Sequence, residues 1–276
     1  MTVDSHQHFW NFSPRRHAWI DDTMKVIRRD FMPPDLEPIL KANHVEGCVT
    51  VQVDQTEKET EFLVKLARDH NFIKGIVGWT DLRSPQLQAR LEYYYQFQEV
   101  KGFRHIVQAE REDFFQDSDF CRGISLLKQY DFTFDILIYP KHLSSTLEFV
   151  KKFPEQLFVV DHLAKPFIKK QELSPWKEQM SAIGKCGNVY CKISGMVTEA
   201  DITHWKSSDF ERYLEVVLNA FGTKQLMYGS DWPVCLVAAQ YEQQLDLVKN
   251  FIEPLSPSEK KAILGENAVR FYHLSH

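Results

Sequence analysis

The chain has 276 residues, 43% of them hydrophobic and 13% aromatic, with a net charge of −5 and no long block of either sign. That balance gives no electrostatic case for nucleic acid or an anionic membrane surface as partner, and no apolar run reaches the roughly 18 residues that a transmembrane helix needs. Five cysteines (Cys48, Cys121, Cys186, Cys191 and Cys235) lack CxxC spacing and read as small buried hydrophobes of a reducing compartment, so a cytoplasmic protein is expected.

Along the chain, short β-branched or aromatic runs alternate with amphipathic stretches. The first expected strand is Val3–Phe9, followed by a long segment without periodicity from Asn11 to Pro38 that carries Trp19, Arg28 and Arg29. Loops of that length in compact domains are usually functional, and the basic run from Lys25 to Arg29 reads as a solvated face or as a lip over an anionic substrate group. Gly47–Val53 is the second strand. Thr56-x-x-Glu59 then reads as a capping box that opens a helix. Gly75–Thr80, a helix from Leu87 to Val100, Gly102–Val107, a helix from Asp119 to Tyr130, Thr133–Ile138 and Leu157–Asp161 follow. Ser174-Pro175 starts a further helix before the strand Val189–Ile193. Ser208-x-x-Glu211 opens the next helix, with Gly222 as its left-handed cap. The strand Gln225–Tyr228 comes after it, and Ser256-Pro257-x-Glu259 caps the last helix. Eight near-continuously apolar strands alternating with helices predict one (β/α)8 barrel over residues 1–276, with a doubly wound sheet as the alternative.

In such a barrel the polar residues at the C-terminal ends of the strands form the site. Side chains two apart on a strand share a face, so His6 and His8 aim together. This is a spacing for metal ligands or for a pair that polarises a carbonyl. Asp231 leaves the last strand at Gly229-Ser230 and can meet them if the first and last strands are neighbours. The other strand ends offer Gln52, Trp79, Asp81, Arg104, His105, Asp135, Tyr139, Asp161, His162, Lys165, Lys192, Ser194, Glu199, Asp201 and Trp232. From these, Asp231, His162, Arg104 and His105 are expected to be catalytic, and Gln52, Trp79, Asp135, Lys192 and Trp232 to bind substrate. His44, His70, His204, His273 and His276 read as surface or satisfied histidines. The set suits hydrolysis at an acyl carbon, with Asp231 taking a proton from water and the cationic groups meeting the oxyanion. No GxSxG elbow, GxGxxG loop or Walker pattern occurs.

The segments DSHQHFW, KGFRHIVQ, VVDHLAKP, CKISGMVTEAD and YGSDWPVCL, in this order over the whole chain, resemble the amidohydrolase superfamily in its branch of sugar-lactone hydrolases. The resemblance implies a distorted (β/α)8 barrel that opens a small sugar lactone to the aldonic acid. His6 and His8 match the strand-one HxH pair and His162 the later strand-end histidine. Asp231 matches the aspartate that activates water, and Arg104 and His105 match a pair near the substrate carbonyl. No lysine or glutamate is placed on strand four to bridge two metals. The expectation is therefore one divalent ion, zinc, on His6, His8 and Asp231, or catalysis without metal. A metal-dependent amide hydrolase or decarboxylase on the same barrel is the alternative. The expected partner is a small sugar lactone, with the oligomeric state open.

Overall fold

The computed structural model describes residues 1–275 of the 276. Its strands are β1 (Val3–Gln7), β2 (Gly47–Val51), β3 (Ile73–Gly78), β4 (Val100–Ile106), β5 (Thr133–Leu137), β6 (Phe158–Val160), β7 (Val189–Ile193) and β8 (Leu226–Tyr228). They form one parallel sheet in sequence order. The ends of β8 and β1 join through a bridge between Gln7 and Trp232, with the Asp231 N–H donating to the His6 carbonyl at 2.8 Å and the His8 N–H to that of Trp232 at 2.7 Å. All eight expected strands are present, and the sheet is a barrel rather than a doubly wound sheet. Helices α1 (Pro33–Ala42), α2 (Glu57–Asp69), α3 (Leu87–Tyr95), α4 (Ser118–Leu127), α5 (Leu143–Lys152), α6 (Trp176–Ile183), α7 (Ser208–Phe221), α8 (Tyr241–Phe251), α9 (Pro257–Lys261) and α10 (Asn267–Phe271) accompany it. Among the described residues, no helix is long and apolar enough to cross a membrane.

The barrel interior is layered. Val3, Val49, Val51, Val77, Val159 and Met227 make an apolar floor, packed on Phe271, Tyr272 and Leu274 at the chain's end. Above that floor lies a fully buried polar layer that contains His6, Asp135, Asp161 and Lys192. The register of β1 shifts between Asp4 and Gln7. As a result Val3 packs in the floor, whereas Asp4 reaches out to the Tyr241 hydroxyl of α8 at 3.2 Å. Beyond the shift the alternation restarts, with His6 and His8 on the inner face.

The local signals held unevenly. Ser256 and Glu259 form the expected capping box with Pro257 in the first helical turn. Ser208 lies inside α7 rather than capping it, because the chain turns one residue earlier, at Ser207. Gly222 ends α7 with φ 64° but ψ 177°, an extended mirror-image conformation open to a residue without Cβ rather than a left-handed helical one. The segment from Asn11 to Pro38 is not irregular throughout, since α1 begins at Pro33 and a short 3-10 turn spans Asp22–Ile27. His44, His204 and His273 are exposed and His70 is half-buried, while His276 lies outside the described residues.

Thr56 caps α2, accepting from the Glu59 N–H at 3.3 Å. The Glu59 carboxylate does not reach back to Thr56. It accepts instead from the Val53 and Asp54 N–H groups, at 3.1 and 2.5 Å, and so pins the turn after β2. Burial pushes the Glu59 carboxyl from 4.5 up to about 7. Between those values the folded chain holds a proton that the unfolded chain has released, so stability falls as pH rises through that window. The expected contribution is on the order of 3 kcal/mol, at about 1.4 kcal/mol per pH unit. Urea unfolding of wild type and Glu59→Gln at pH 5 and pH 8 checks this: the variant should lose less stability between the two pH values than wild type does.

Candidate active site

A cavity of about 430 Å³ opens at the C-terminal end of the barrel, lined by His8, Arg104, His162, Lys165, Glu199 and Asp231 among its polar groups. Its apolar wall comes from Val53, Ile106, Leu137 and Val234 together with Trp19 and Met24 of the long first segment. Trp10 and Phe31 clip that segment to the barrel through reciprocal main-chain hydrogen bonds of 3.0 and 2.9 Å.

Three atoms converge at the base of the cavity. His8 Nε2 lies 3.2 Å from His6 Nε2 and 3.2 Å from Asp231 Oδ1, and His6 Nε2 lies 3.9 Å from the same oxygen. The Val51 carbonyl stands 2.7 Å from His8 Nδ1 and can only accept, which places a proton on Nδ1 and turns a lone pair of Nε2 toward the other two atoms. Lys192 Nζ, 3.0 Å from His6 Nδ1, can only donate, so the uncharged His6 ring carries its proton on Nε2 toward His8. A cation would take the place of that proton, which Nδ1 would then hold toward Asp161 Oδ1 at 3.3 Å. Ligand atoms on a tetrahedral zinc, bound at about 2.0–2.1 Å, stand roughly 3.3–3.4 Å apart, so the residues present fit a divalent ion. A second grouping, His6 with Asp161 and His162, has the same residue types. There Asp161 already meets two cations, Arg104 at 3.1 Å and Lys192 at 3.0 Å, which disfavours another.

His162 stands on the far side of Asp231, with its Nε2 3.8 Å from Oδ1. It is aimed by a backbone feature that no glycine announces. His162, Leu163, Ala164 and Lys165 all have left-handed φ, between 50° and 57°. This run breaks the strand alternation, so Asp161 and His162 both serve the interior and Lys165 turns to the cavity. Each such residue costs roughly 1–2 kcal/mol, and that kind of strain collects at functional sites. Gly195 completes the seat: a Cβ there would lie 2.6 Å from His162 Nδ1, the atom that meets the Ser194 hydroxyl at 2.8 Å.

Burial pushes His6 and His162 well below the ordinary histidine value of 6.5, with Lys192 adding to the effect at His6. Burial alone would raise the Asp231 carboxyl, but His162, His8 and Lys165 outweigh it and hold the group below 3.8. Near neutral pH the pattern is a charged Asp231 between uncharged His6 and His162.

The structure brings together His6, His8, Arg104, His162 and Asp231, and separates other expected residues from the cavity. His105 follows Arg104 on β4 and therefore faces the opposite way. It stacks on Phe114 with ring centroids 5.0 Å apart and bonds Glu110 at 2.9 Å. Trp232 is buried between Phe9 and Phe31, and Trp79 sits half-buried beyond β3, its main-chain N–H bonded to the Thr60 hydroxyl. Gln52, Asp135 and Lys192 do not line the cavity but support it from beneath. Gln52 clasps the main chain of Arg104. Lys192 joins Asp135 at 2.5 Å, Asp161 at 3.0 Å and His6 Nδ1 at 3.0 Å. Sequence reasoning did not assign Trp19, Met24 and Gln108 to the lining. For the first two, the length of their segment was the available signal.

The amidohydrolase family model matches residues 3–274. The chain belongs to that family. It is 37% identical to an L-fucono-1,5-lactonase of Burkholderia multivorans over 99% of this chain and 96% of that protein. Likeness to an L-fucono-1,5-lactonase of Burkholderia ambifaria is 33%, over 99% and 95%. A crystal structure of an amidohydrolase from Burkholderia multivorans with bound zinc superposes with a TM-score of 0.96 at 37% identity, covering 100% of both chains.

Proposed function

We propose that this amidohydrolase opens a small sugar lactone, of the L-fuconolactone or L-rhamnonolactone type, to the aldonic acid. One observation carries the reading: an ionised carboxylate, Asp231, stands in the cavity wall between His8 and His162. The full-length likeness to the Burkholderia lactonases supports it, and about 430 Å³ falls within the usual size of small-molecule sites.

Asp231 takes a proton from a water molecule as the water oxygen attacks the lactone carbonyl carbon. Negative charge then grows on the carbonyl oxygen. Arg104 answers it with the guanidinium that lines the cavity. Collapse of the tetrahedral carbon breaks the bond to the ring oxygen. That oxygen leaves with the proton gained by Asp231, handed on through His162, whose ring is held by Ser194. His6, His8 and Asp231 would hold a divalent ion, and when bound it supplies a Lewis acid for the carbonyl.

A pH-indicator assay on a panel of neutral aldonolactones tests the reading, with acid release from L-fucono- or L-rhamnonolactone as the expected result and none from any member as the failure. Zinc added to chelator-treated protein should bind at one ion per chain and raise the melting temperature. His8→Asn should abolish that rise, and a rise that survives the substitution would place the ion elsewhere.

A further inference from the structure

Arg104 and Lys165 are the lysine and arginine side chains that line the cavity among the described residues, and each is held by a carboxylate. Arg104 meets Asp161 at 3.1 Å, and Lys165 Nζ meets Glu199 Oε1 at 2.8 Å. No arginine of the long first segment lines the cavity. Arg28 is bonded to Asp22 at 2.8 Å, and Arg29 pairs with Asp35 at 3.3 Å and lies over the Phe31 ring. None of Lys25, Arg28 and Arg29 lines the cavity, so the basic run is a solvated face rather than a lip over an anionic group.

Glu199 ends the 3-10 turn Val197–Glu199 that follows β7, beside Thr198, which also lines the cavity. Lys165 comes from the neighbouring strand end, after β6 and at the end of the left-handed run, and the two side chains are only 16% and 22% exposed. A pair this sheltered is poorly screened by solvent. Burial would lower the Lys165 ammonium, but Glu199 and Asp231 more than reverse this and keep it charged.

We propose that Glu199 is a specificity-determining residue: by neutralising Lys165 inside the cavity it admits uncharged lactones and rejects those that carry a free carboxylate. The inference rests on the lactonase reading. A carboxylate on the substrate would approach Glu199 and Asp231, and the one lysine able to receive it is already occupied. Juxtaposed like charges in a sheltered site are a strong means of discrimination.

Galactono-1,4-lactone and galactaro-1,4-lactone test this, because they differ in a hydroxymethyl against a carboxylate on the same ring. Wild type should favour the neutral lactone in kcat/KM by about tenfold or more. Glu199→Gln, which frees Lys165, should move that ratio at least about tenfold toward the carboxylate-bearing lactone. The double variant Lys165→Gln/Glu199→Gln, a neutral pair, should stay near the wild-type ratio. An unchanged ratio in the single variant overturns the inference. So does an equal shift in both variants, because space rather than charge would then be selecting. Should Glu199→Gln show no cooperative melt, Lys165→Gln takes its place: the unpaired Glu199 should move the ratio about tenfold the other way, and no movement overturns the inference. Wild-type enzyme that opens neither these nor any other lactone of the panel overturns the lactonase reading itself, a result visible before any variant is made.

Discussion

Asp231→Asn is expected to lower kcat on a saturating sugar lactone about 10²-fold or more, the usual loss when a positioned general base is removed. The substitution isolates the charge. Asparagine has the same shape, and it is among the residues that tolerate a left-handed backbone such as the φ of 57° at this position. The Asp231 N–H bond to the His6 carbonyl does not involve the side chain and persists. The variant should therefore melt cooperatively, which circular dichroism would verify. His105→Phe is the companion measurement: that ring packs among phenylalanines outside the cavity, so its kcat should stay close to wild type. Near-wild-type turnover by Asp231→Asn would end the mechanism, and a collapse of turnover in folded His105→Phe would mean that β4 is wrongly understood.

Lys192→Met is expected to cost about 3–5 kcal/mol of stability, the range seen when one partner of a buried ion pair is removed. The ammonium is fully buried between Asp135 and Asp161, within hydrogen-bond distance of an oxygen of each. Asp161 is held below its ordinary value, because Lys192 and Arg104 outweigh the effect of burial. Burial instead raises Asp135 to about 6, against the pull of Lys192. Without the lysine both carboxyls rise, so the folded variant binds protons that the unfolded chain does not. Its deficit should then shrink as pH falls from 8 toward 5. Urea unfolding across that range gives both numbers, and a variant as stable as wild type at pH 8 would show that the ammonium is not what balances the two acids.

The barrel was legible because parallel strands covered on both faces must be apolar nearly throughout, and runs such as Val189–Ile193 and Thr133–Ile138 are of that kind. The meeting of His6 and His8 with Asp231 followed from period two on β1 and from the neighbouring of first and last strands. The same period, applied to Arg104 and His105, would have sent the histidine outward, and taking both as site residues overlooked it. Asp4 was harder: strict alternation would place it beside His6, and only the irregular register of β1 turns it to α8. Lys192 and Asp135 read as substrate ligands because they stand near strand ends, where a barrel's polar residues form the site, although a Lys192–Asp161 pair was the other reading and is present at 3.0 Å. Lys192 meets Asp135 as well as Asp161, and spacing alone could not reveal the Asp135 contact. The run from His162 to Lys165 contains no glycine, so nothing in its composition signals a left-handed turn.

That turn has a consequence for remote substitutions. Leu163 and Ala164 are fully buried, and the Trp176 indole of α6 donates to the Leu163 carbonyl at 2.7 Å. The directions of His162 and Lys165 are thus inherited from the hydrophobic packing of a helix that does not line the cavity. A lesion at Trp176 would surface as two functional defects at once, slower proton delivery and blurred discrimination between charged and neutral rings, in an enzyme whose every reacting group is still in place.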